Sequence, residues 1–281
     1  MLELSRSYSD AAREWDAIET VTLTKKGNGN VPQQIQHMSE SHDGSCFVNF
    51  RDVWDHLKNK HAVSSRAVRL HRDPRARGAQ APSYEEGRRQ GGALAGSPLA
   101  SERGPFDDDD QMHLHTIQTL YMELTGEEYP CPRYGSHWEN IGFQGKDPAT
   151  DLRGVGFLAL VNTMSLLTTS EQLCKLGRNV YQLSLSESQH FPFMVLSINV
   201  TRIALLVLKA GKLNRECNEK NSVIEVLNRF YAGILYKIYS IYKSGRMTIN
   251  DAGNMMKDTE RYAMKKPQEV LAKLNAHLKV L

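Results

Sequence analysis

The sequence predicts an all-α fold: a compact multi-helix domain over about residues 111–281, preceded by a largely disordered region over residues 1–110. In the second part, apolar residues recur at helical spacing in successive segments that are bounded by capping residues. No stretch alternates apolar and polar residues for long enough to predict a strand. The first part contains a long run with almost no large apolar side chains, which favours disorder.

The N-terminal part contains one clear amphipathic segment, Asn49–Lys60. Its apolar residues follow the i, i+3, i+4, i+7 pattern of a helix face, namely Phe50, Val53, Trp54 and Leu57. We expect this helix to dock on the chain itself or on a partner, and Ser9–Val21 is a weaker helical candidate. His61–Pro105 scatters arginines among Ala, Gly, Pro and Ser. This segment is predicted to be a disordered linker, because it buries too little apolar surface to offset the entropy of ordering.

The helices of the second part are predicted from their caps. The first should begin after Asp107–Asp110 and end at Gly126, since acids favour a helix N-terminus and glycine favours the left-handed position after the C-terminus. Phe191–Ala210 is apolar nearly all round, which predicts a central buried helix, and Arg202 within it argues against a membrane span. The other predicted helices begin after Ser170, span Glu219–Lys243, follow Asn250–Asp251 and start at Pro267.

Charge and cysteine usage restrict the classes of function that the sequence is compatible with. Of the 35 basic and 32 acidic side chains, residues 111–281 hold 20 and 15, a net charge of +5. This excess suits an acidic partner or an anionic ligand but is too small to indicate nucleic acid. The four cysteines lie far apart without a CxxC pair, which argues against a zinc site or a disulfide scaffold and favours a reducing compartment. His113 and His115 point to different faces of a helix, so no metal site is predicted, and a cytoplasmic protein without a transmembrane segment is expected.

Several catalytic motifs are missing from the sequence. It contains no GxxxxGK[ST] phosphate-binding loop, no GxSxG and no HExxH. The chain is therefore not expected to bind a nucleoside triphosphate in a P-loop of its own.

The stretch from Trp138 to Leu160, WENIGFQGKDPATDLRGVGFLAL, is the strongest candidate for a functional site. It joins an aromatic anchor to a Gly/Pro loop and then to an apolar helix, which is predicted to begin near Leu152 with Thr150 or Asp151 as its cap. Arg153 would then lie in the first turn, where the helix dipole disfavours a cation. Two explanations stay open for this arginine: a structural ion pair with Asp147 or Asp151, or a side chain aimed at a partner.

This stretch resembles the ELMO-domain family, the engulfment-and-motility proteins and their smaller relatives. The matching residues are Trp138, Gly142, Phe143, Gln144, Pro148, Thr150, Asp151, Arg153, Gly154 and Gly156. The resemblance continues through Gln189–Phe193, Ser197–Asn199 and Phe230–Tyr231, and it covers about residues 111–281. Leu152 stands where the family more often has Phe, which predicts altered packing beside Arg153.

The resemblance implies a GTPase-activating protein for Arf-family small GTPases, especially the Arf-like ones, in their GTP state. Its proposed catalytic arginine falls on Arg153, which would act as an arginine finger, while GTP and Mg²⁺ belong to the partner, so that this chain needs no cofactor or metal. Trp138, Phe143 and Pro148 are expected to hold the loop. Gln144 is expected to position the finger or contact the partner, and the glycines to allow its close approach.

Two alternatives remain beside this expectation. One is a non-catalytic adaptor that binds a small GTPase or an exchange-factor complex in cytoskeletal or membrane-traffic signalling, with peripheral membrane association through the partner. The other is nucleic-acid binding through the Arg-rich linker, which ranks last because no aromatic residues are interleaved with the arginines for base stacking.

Overall fold

The computed structural model describes residues 47–70, 104–152, 154–187, 189–245 and 251–281, with the backbone alone for residues 61–70. The candidate helix Ser9–Val21, most of the Arg-rich linker, Arg153 itself and the predicted cap Asn250 lie outside the described residues. Within the described ranges all regular secondary structure is helical, which confirms the predicted all-α class.

The first described helix, α1 (Phe50–Leu70), docks on this chain. Val53 and Leu57 are buried, as the amphipathic pattern predicts. The helix continues past Lys60, so the prediction that disorder begins at His61 is wrong at that end. The reason is local: residues 61–70 contain neither Gly nor Pro, so nothing in them interrupts a helix that is already nucleated.

The next helix, α2 (Gln111–Thr125), has the predicted caps. The Asp110 carboxylate accepts a hydrogen bond from the Met112 N–H at 3.0 Å, and Gly126 ends the helix with a left-handed φ of 80°. Helix α1 packs against α2 and against α3 (Leu158–Thr168), so residues on both sides of the Arg-rich linker share one hydrophobic core.

The chain between α2 and α3 forms two short 3₁₀ helices, Ser136–Ile141 and Pro148–Thr150, instead of the helix predicted to begin near Leu152. That prediction is wrong because Gly154 and Gly156 have left-handed φ values of 90° and 63°, which a right-handed helix does not accommodate. The helix begins only at Leu158, beyond both glycines.

Six further helices complete the described fold: α4 (Glu171–Ser184), α5 (Phe193–Lys209), α6 (Asn214–Lys220), α7 (Val223–Lys243), α8 (Ala252–Lys265) and α9 (Pro267–Leu278). Ser170 and Pro267 start α4 and α9 as predicted. The single helix predicted over Glu219–Lys243 is in fact interrupted. Asn221 adopts a left-handed φ of 48°, and the hydroxyl of Ser222 then caps α7 by accepting from the Glu225 N–H.

Helix α5 is buried on nearly all sides, as predicted, and α7 packs against α3, α4, α5, α6, α8 and α9. A buried trio of hydroxyls joins three of these helices: Ser197 lies 2.6 Å from Thr163 and 2.7 Å from Tyr231. Arg202 in α5 pairs with Glu260 of α8 at 2.8 Å, so its charge is compensated within the domain. Among the described helices, no single one has the length and apolar content to cross a membrane. Helices α5 and α6 have that length and apolar content only when they are taken together, and the pair is bent by 90°.

Candidate functional site

The front half of the candidate loop, Trp138–Gln144, is anchored in the core. Trp138 is fully buried, and its indole N–H donates to the Arg133 carbonyl at 3.0 Å. The Phe143 ring is also buried and meets the Trp138 ring edge-on, with centroids 6.1 Å apart. Neither side chain is available to a partner, so both act as anchors of the loop.

Gly142 fixes where this front half meets the rest of the domain. Its φ is 89°, and a Cβ placed on it would lie 2.3 Å from the backbone nitrogen of Phe193. The Gly142 carbonyl accepts a hydrogen bond from the Val195 N–H at 3.1 Å. Helix α5 has no side-chain cap at its N-terminus, so this carbonyl satisfies one of its free N–H groups. The loop is thereby joined to the central helix, backbone against backbone.

Asp147 organises the approach to the back half of the loop, Asp147–Phe157. Its carboxylate caps the short 3₁₀ helix by accepting from the Ala149 N–H at 3.0 Å, while Pro148 is buried at the first position of that helix. Thr150 is exposed, and its hydroxyl donates to the Asp147 carbonyl at 2.8 Å. Thr150 therefore stabilises the turn and does not cap a following helix.

Arg133 ties Asp147 to the start of the domain. Its guanidinium bonds Asp147 at 2.8 Å and Asp108 at 2.6 Å, and it lies 4.4 Å from the centroids of the Phe106 and Tyr134 rings. Sequence reasoning did not identify Arg133, because Asp108 is 25 residues away and no local pattern connects them. Asp147, one of the two acids considered as partners for Arg153, is thus paired with another arginine.

Asp151 joins the two halves of the loop. Its carboxylate accepts a hydrogen bond from the Gln144 backbone N–H at 2.6 Å. Its predicted role as an N-terminal helix cap is wrong, since α3 begins at Leu158 and the residues that follow Asp151 form a turn. The Gln144 side chain is half-buried, and its Nε2 is shielded from solvent without a hydrogen-bond partner among the described residues.

The turn around position 153 is held by buried residues on both sides. Leu152 and Val155 are buried, while Gly154 between them is exposed. The Gly156 N–H donates to the Leu152 carbonyl at 2.7 Å, which closes the turn. Arg153 lies outside the described residues, but its neighbours form a tight turn with an exposed apex at Gly154. Leu152 is part of the hydrophobic core.

A stacked histidine supports the far end of the loop. The His113 ring stacks on Phe157, with centroids 3.7 Å apart, and the Phe157 N–H donates to the Gly104 carbonyl at 3.0 Å. Burial lowers the pKa of His113 to about 4, and the Asp107 N–H donates to its Nδ1 at 3.0 Å, so the ring is neutral near pH 7. Sequence reasoning considered His113 only as a metal ligand and missed this packing role.

Charged side chains of α1 also contact the residues just before α2, next to His113. Lys60 donates to Asp110 at 2.8 Å and to Asp107 at 3.1 Å, and His56 contacts Asp110 at 2.9 Å. Burial alone would raise the pKa of Asp110, but the hydrogen bonds from Lys60 and His56 outweigh it and hold that pKa well below its ordinary value. No group of three potential metal ligands occurs among the described side chains.

Fold and site together define a helical domain that holds an irregular Gly/Pro loop at its surface. The family model described as "ELMO/CED-12 family" matches residues 100–256. ELMO domain-containing protein 3 of Bos taurus is 34% identical over 283 residues, covering 98% of this chain and 70% of the relative. The chain belongs to the ELMO/CED-12 family.

Two other relatives match shorter parts of the chain. ELMO domain-containing protein 3 of Homo sapiens is 40% identical over 173 residues, which is 62% of this chain and 45% of that protein. ELMO domain-containing protein 2 of Homo sapiens is 28% identical over 139 residues, or 50% of this chain and 46% of that protein. The chain thus spans less than half of these two relatives within the matched regions. No solved structure matches the chain.

Proposed function

We propose that this protein is a GTPase-activating protein for an Arf-like small GTPase and that Arg153 is its arginine finger. The link between ELMO domains and small-GTPase regulation supports the class of function. The role proposed for Arg153 is supported by the turn around position 153, where buried Leu152 and Val155 flank the exposed Gly154. A loop with this pattern offers its apex to a partner while its flanks remain fixed in the domain.

The chemistry requires a cation more than a nucleophile. GTP hydrolysis develops charge on the transferring phosphoryl group, and an arginine supplied in trans typically accelerates it about 10³–10⁵-fold. The planar guanidinium can bond two phosphate oxygens at once, which a lysine ammonium cannot do with the same geometry. With no P-loop in this sequence, we assign GTP and Mg²⁺ to the partner GTPase.

The loop meets the other requirement of such a finger, which is a rigid mount. A small displacement of a catalytic group can cost about 10²-fold in rate, so the support counts as much as the charge. Here Gly142 is joined to α5, Asp151 to Gln144, and Phe157 to His113. The first two contacts fix the loop before the turn, and the third fixes it after the turn.

The test is single-turnover GTP hydrolysis by a panel of Arf-like GTPases with the wild-type protein and with Arg153→Lys. We expect the wild type to accelerate hydrolysis by at least one member, and Arg153→Lys to remove most of that acceleration. Arg261→Lys is the matched control, since Arg261 is an exposed arginine in α8 that pairs with Asp258. It should keep full activity.

Two results would contradict the proposal: no acceleration by the wild type with any member, or equal acceleration by the Arg153 variant. Thermal melting of each variant should accompany the assay. A variant that unfolds would lose activity without any change in the chemistry.

A non-catalytic adaptor is the second candidate, and one observation favours it. Tyr134 is 57% exposed directly beside the loop, where the Gly135 N–H bonds the Lys146 carbonyl. Exposed tyrosines are enriched in binding interfaces, so this surface can contact a GTPase without taking part in hydrolysis. In that case Tyr134→Ala should weaken GTPase binding, while Arg153→Lys should leave it intact. In either case we propose a cytoplasmic protein that reaches membranes through its partner.

A further inference from the structure

A candidate ligand site lies far along the chain from the loop, between α7, α8 and α9. It is a cavity of about 370 Å³ with an apolar floor that includes Gly233 and Val270, while its polar side chains include Lys237, Lys273 and Tyr262. Gly233 allows α9 to approach closely, since a Cβ there would lie 2.8 Å from the Val270 side chain. The volume falls within the range of small-molecule sites.

The ammonium group of Lys237 has no acidic partner in this cavity. It lies 4.6 Å from the centroid of the Tyr262 ring, and no carboxylate or carbonyl among the described residues accepts a hydrogen bond from it. Burial, and then the charge of Lys273, hold its pKa below its ordinary value. A half-buried ammonium in such a place lacks the anion that normally accompanies it.

The neighbouring charges leave a positive excess. Glu269 forms ion pairs with Lys273 at 2.9 Å and with Lys266 at 3.1 Å, so one carboxylate pairs with two lysines, and its charge acts on Lys237 without a direct ion pair. Lys273 also lies 5.3 Å from the centroid of the same Tyr262 ring, which brings it to the same side chain as Lys237. Together with Lys266, which pairs with Glu269 outside the cavity lining, Lys237 and Lys273 give three positive charges against one negative charge, so a dianionic group compensates the excess better than a second carboxylate would.

We propose that this cavity binds a phosphomonoester, with Lys237 as its principal charged contact. A phosphate monoester carries about −1.5 to −2 charges near pH 7 and offers several acceptor oxygens, which matches the positive excess. The cavity is larger than a phosphate group alone, and its apolar floor suits the organic part of the ligand. Such a group can come from a soluble metabolite or from a phosphorylated lipid headgroup. The net charge of +5 over residues 111–281 is consistent with either source.

The experiment uses the full chain and isothermal titration with inositol monophosphate, together with sedimentation of vesicles. The vesicles are phosphatidylcholine containing phosphatidylinositol monophosphate, compared with phosphatidylserine vesicles of the same total charge. Binding of inositol monophosphate assigns a soluble phosphomonoester, whereas binding only to the phosphoinositide vesicles assigns a headgroup. Either outcome supports the site.

Three variants separate this site from the general charge of the surface. Lys237→Gln should weaken binding about tenfold, as expected for loss of one charge-assisted hydrogen bond. Lys237→Arg keeps the charge and should retain most of the affinity. Lys212→Gln removes an exposed lysine just beyond α5 and should have no effect. Melting curves of all variants establish that they are folded.

The proposal is overturned if the wild type binds none of these probes, or if Lys212→Gln weakens binding as much as Lys237→Gln. It is also overturned if inositol monophosphate does not bind and both kinds of vesicle bind equally, since net charge alone would then explain the association. None of these measurements involves a GTPase, so their outcome is independent of the role proposed for Arg153.

Discussion

The two halves of the candidate loop are built differently, and two glycines show the difference. Gly142 in the front half and Gly154 in the back half have almost the same φ, 89° and 90°. Gly142 is buried with the backbone of Phe193 directly beside it, whereas Gly154 is exposed. The same left-handed φ therefore occurs in two settings: close packing in the front half, and a surface turn in the back half.

This comparison separates two kinds of residue within one motif: buried residues that anchor the loop and exposed residues at its surface. Trp138, Gly142 and Phe143 are buried, so their restriction arises from packing. Thr150 and Gly154 are exposed and lie on either side of position 153. One continuous sequence motif thus contains a packed half and an exposed half. Substitutions in the two halves should therefore change stability by different amounts.

The largest effect is expected for Gly142→Ala. The substitution combines a left-handed φ with a Cβ that collides with backbone, so the free energy of unfolding should fall by about 2–5 kcal/mol. Chemical denaturation followed by circular dichroism measures this change. An alanine at Gly145, which also has a positive φ but open space around its Cβ position, is the matched control and should cost far less. Equal losses for the two variants would contradict the packing explanation.

A pH-dependent effect is expected for His113, which supports the end of the back half. Its pKa is lowered to about 4 in the folded protein, while an unfolded histidine has about 6.5. Between these values the unfolded state binds more protons, so stability should fall as the pH drops from about 6.5 to 4. The loss amounts to at most about 3 kcal/mol. Asp110 overlaps only the acid end of this window, since its pKa is lowered and its contribution is lost progressively below about pH 5.

His113→Gln should flatten this pH profile when the free energy of unfolding is measured from pH 4 to 7. His115→Gln, two residues along the same helix, is the control and should retain the wild-type slope. A His113 variant whose profile runs parallel to that of the wild type would show that the buried ring does not govern the dependence.

The smallest change in stability is expected for Gly154→Ala. With an exposed position the main penalty is the left-handed φ, about 1–2 kcal/mol. If Arg153 acts as proposed, the same substitution should reduce the acceleration of GTP hydrolysis more than its stability loss explains, because it reshapes the turn beside the finger. Comparing activity and melting temperature in one preparation checks this, and full activity would remove Gly154 from the site.

Much of the fold is predictable from local sequence. Helix ends are marked by residues whose effect is local and acts within a few positions. Four of them lie at the helix ends where they were predicted: Asp110, Gly126, Ser170 and Pro267. The apolar periodicity over Glu219–Lys243 does not reveal the break between α6 and α7, where Asn221 takes the left-handed position after α6 and Ser222 caps α7, two places that these residue types favour.

The sequence selects the residues of the candidate loop, but it does not predict their contacts. The resemblance selects the loop residues, and the buried aromatic anchors follow from their composition. The backbone contact of Gly142 with Phe193, the bond from Gln144 to Asp151 and the stack of His113 on Phe157 depend on the folded chain. No periodicity or spacing in the sequence encodes those pairs, and for this reason Asp151 was expected to cap a helix.

Helix α1 has a consequence for how the domain assembles. The Val48 N–H donates to the Thr119 hydroxyl at 3.0 Å across 71 residues of chain, and the Phe50 N–H donates to the Thr168 hydroxyl at 2.8 Å across 118. Closing such long loops carries an entropic penalty that local helix contacts avoid, so α1 should dock late in folding. The cooperatively folding unit therefore includes α1, which is separated from the rest of the domain in the sequence. A fragment that begins at residue 100, where the family match begins, would lack the core residues that α1 contributes.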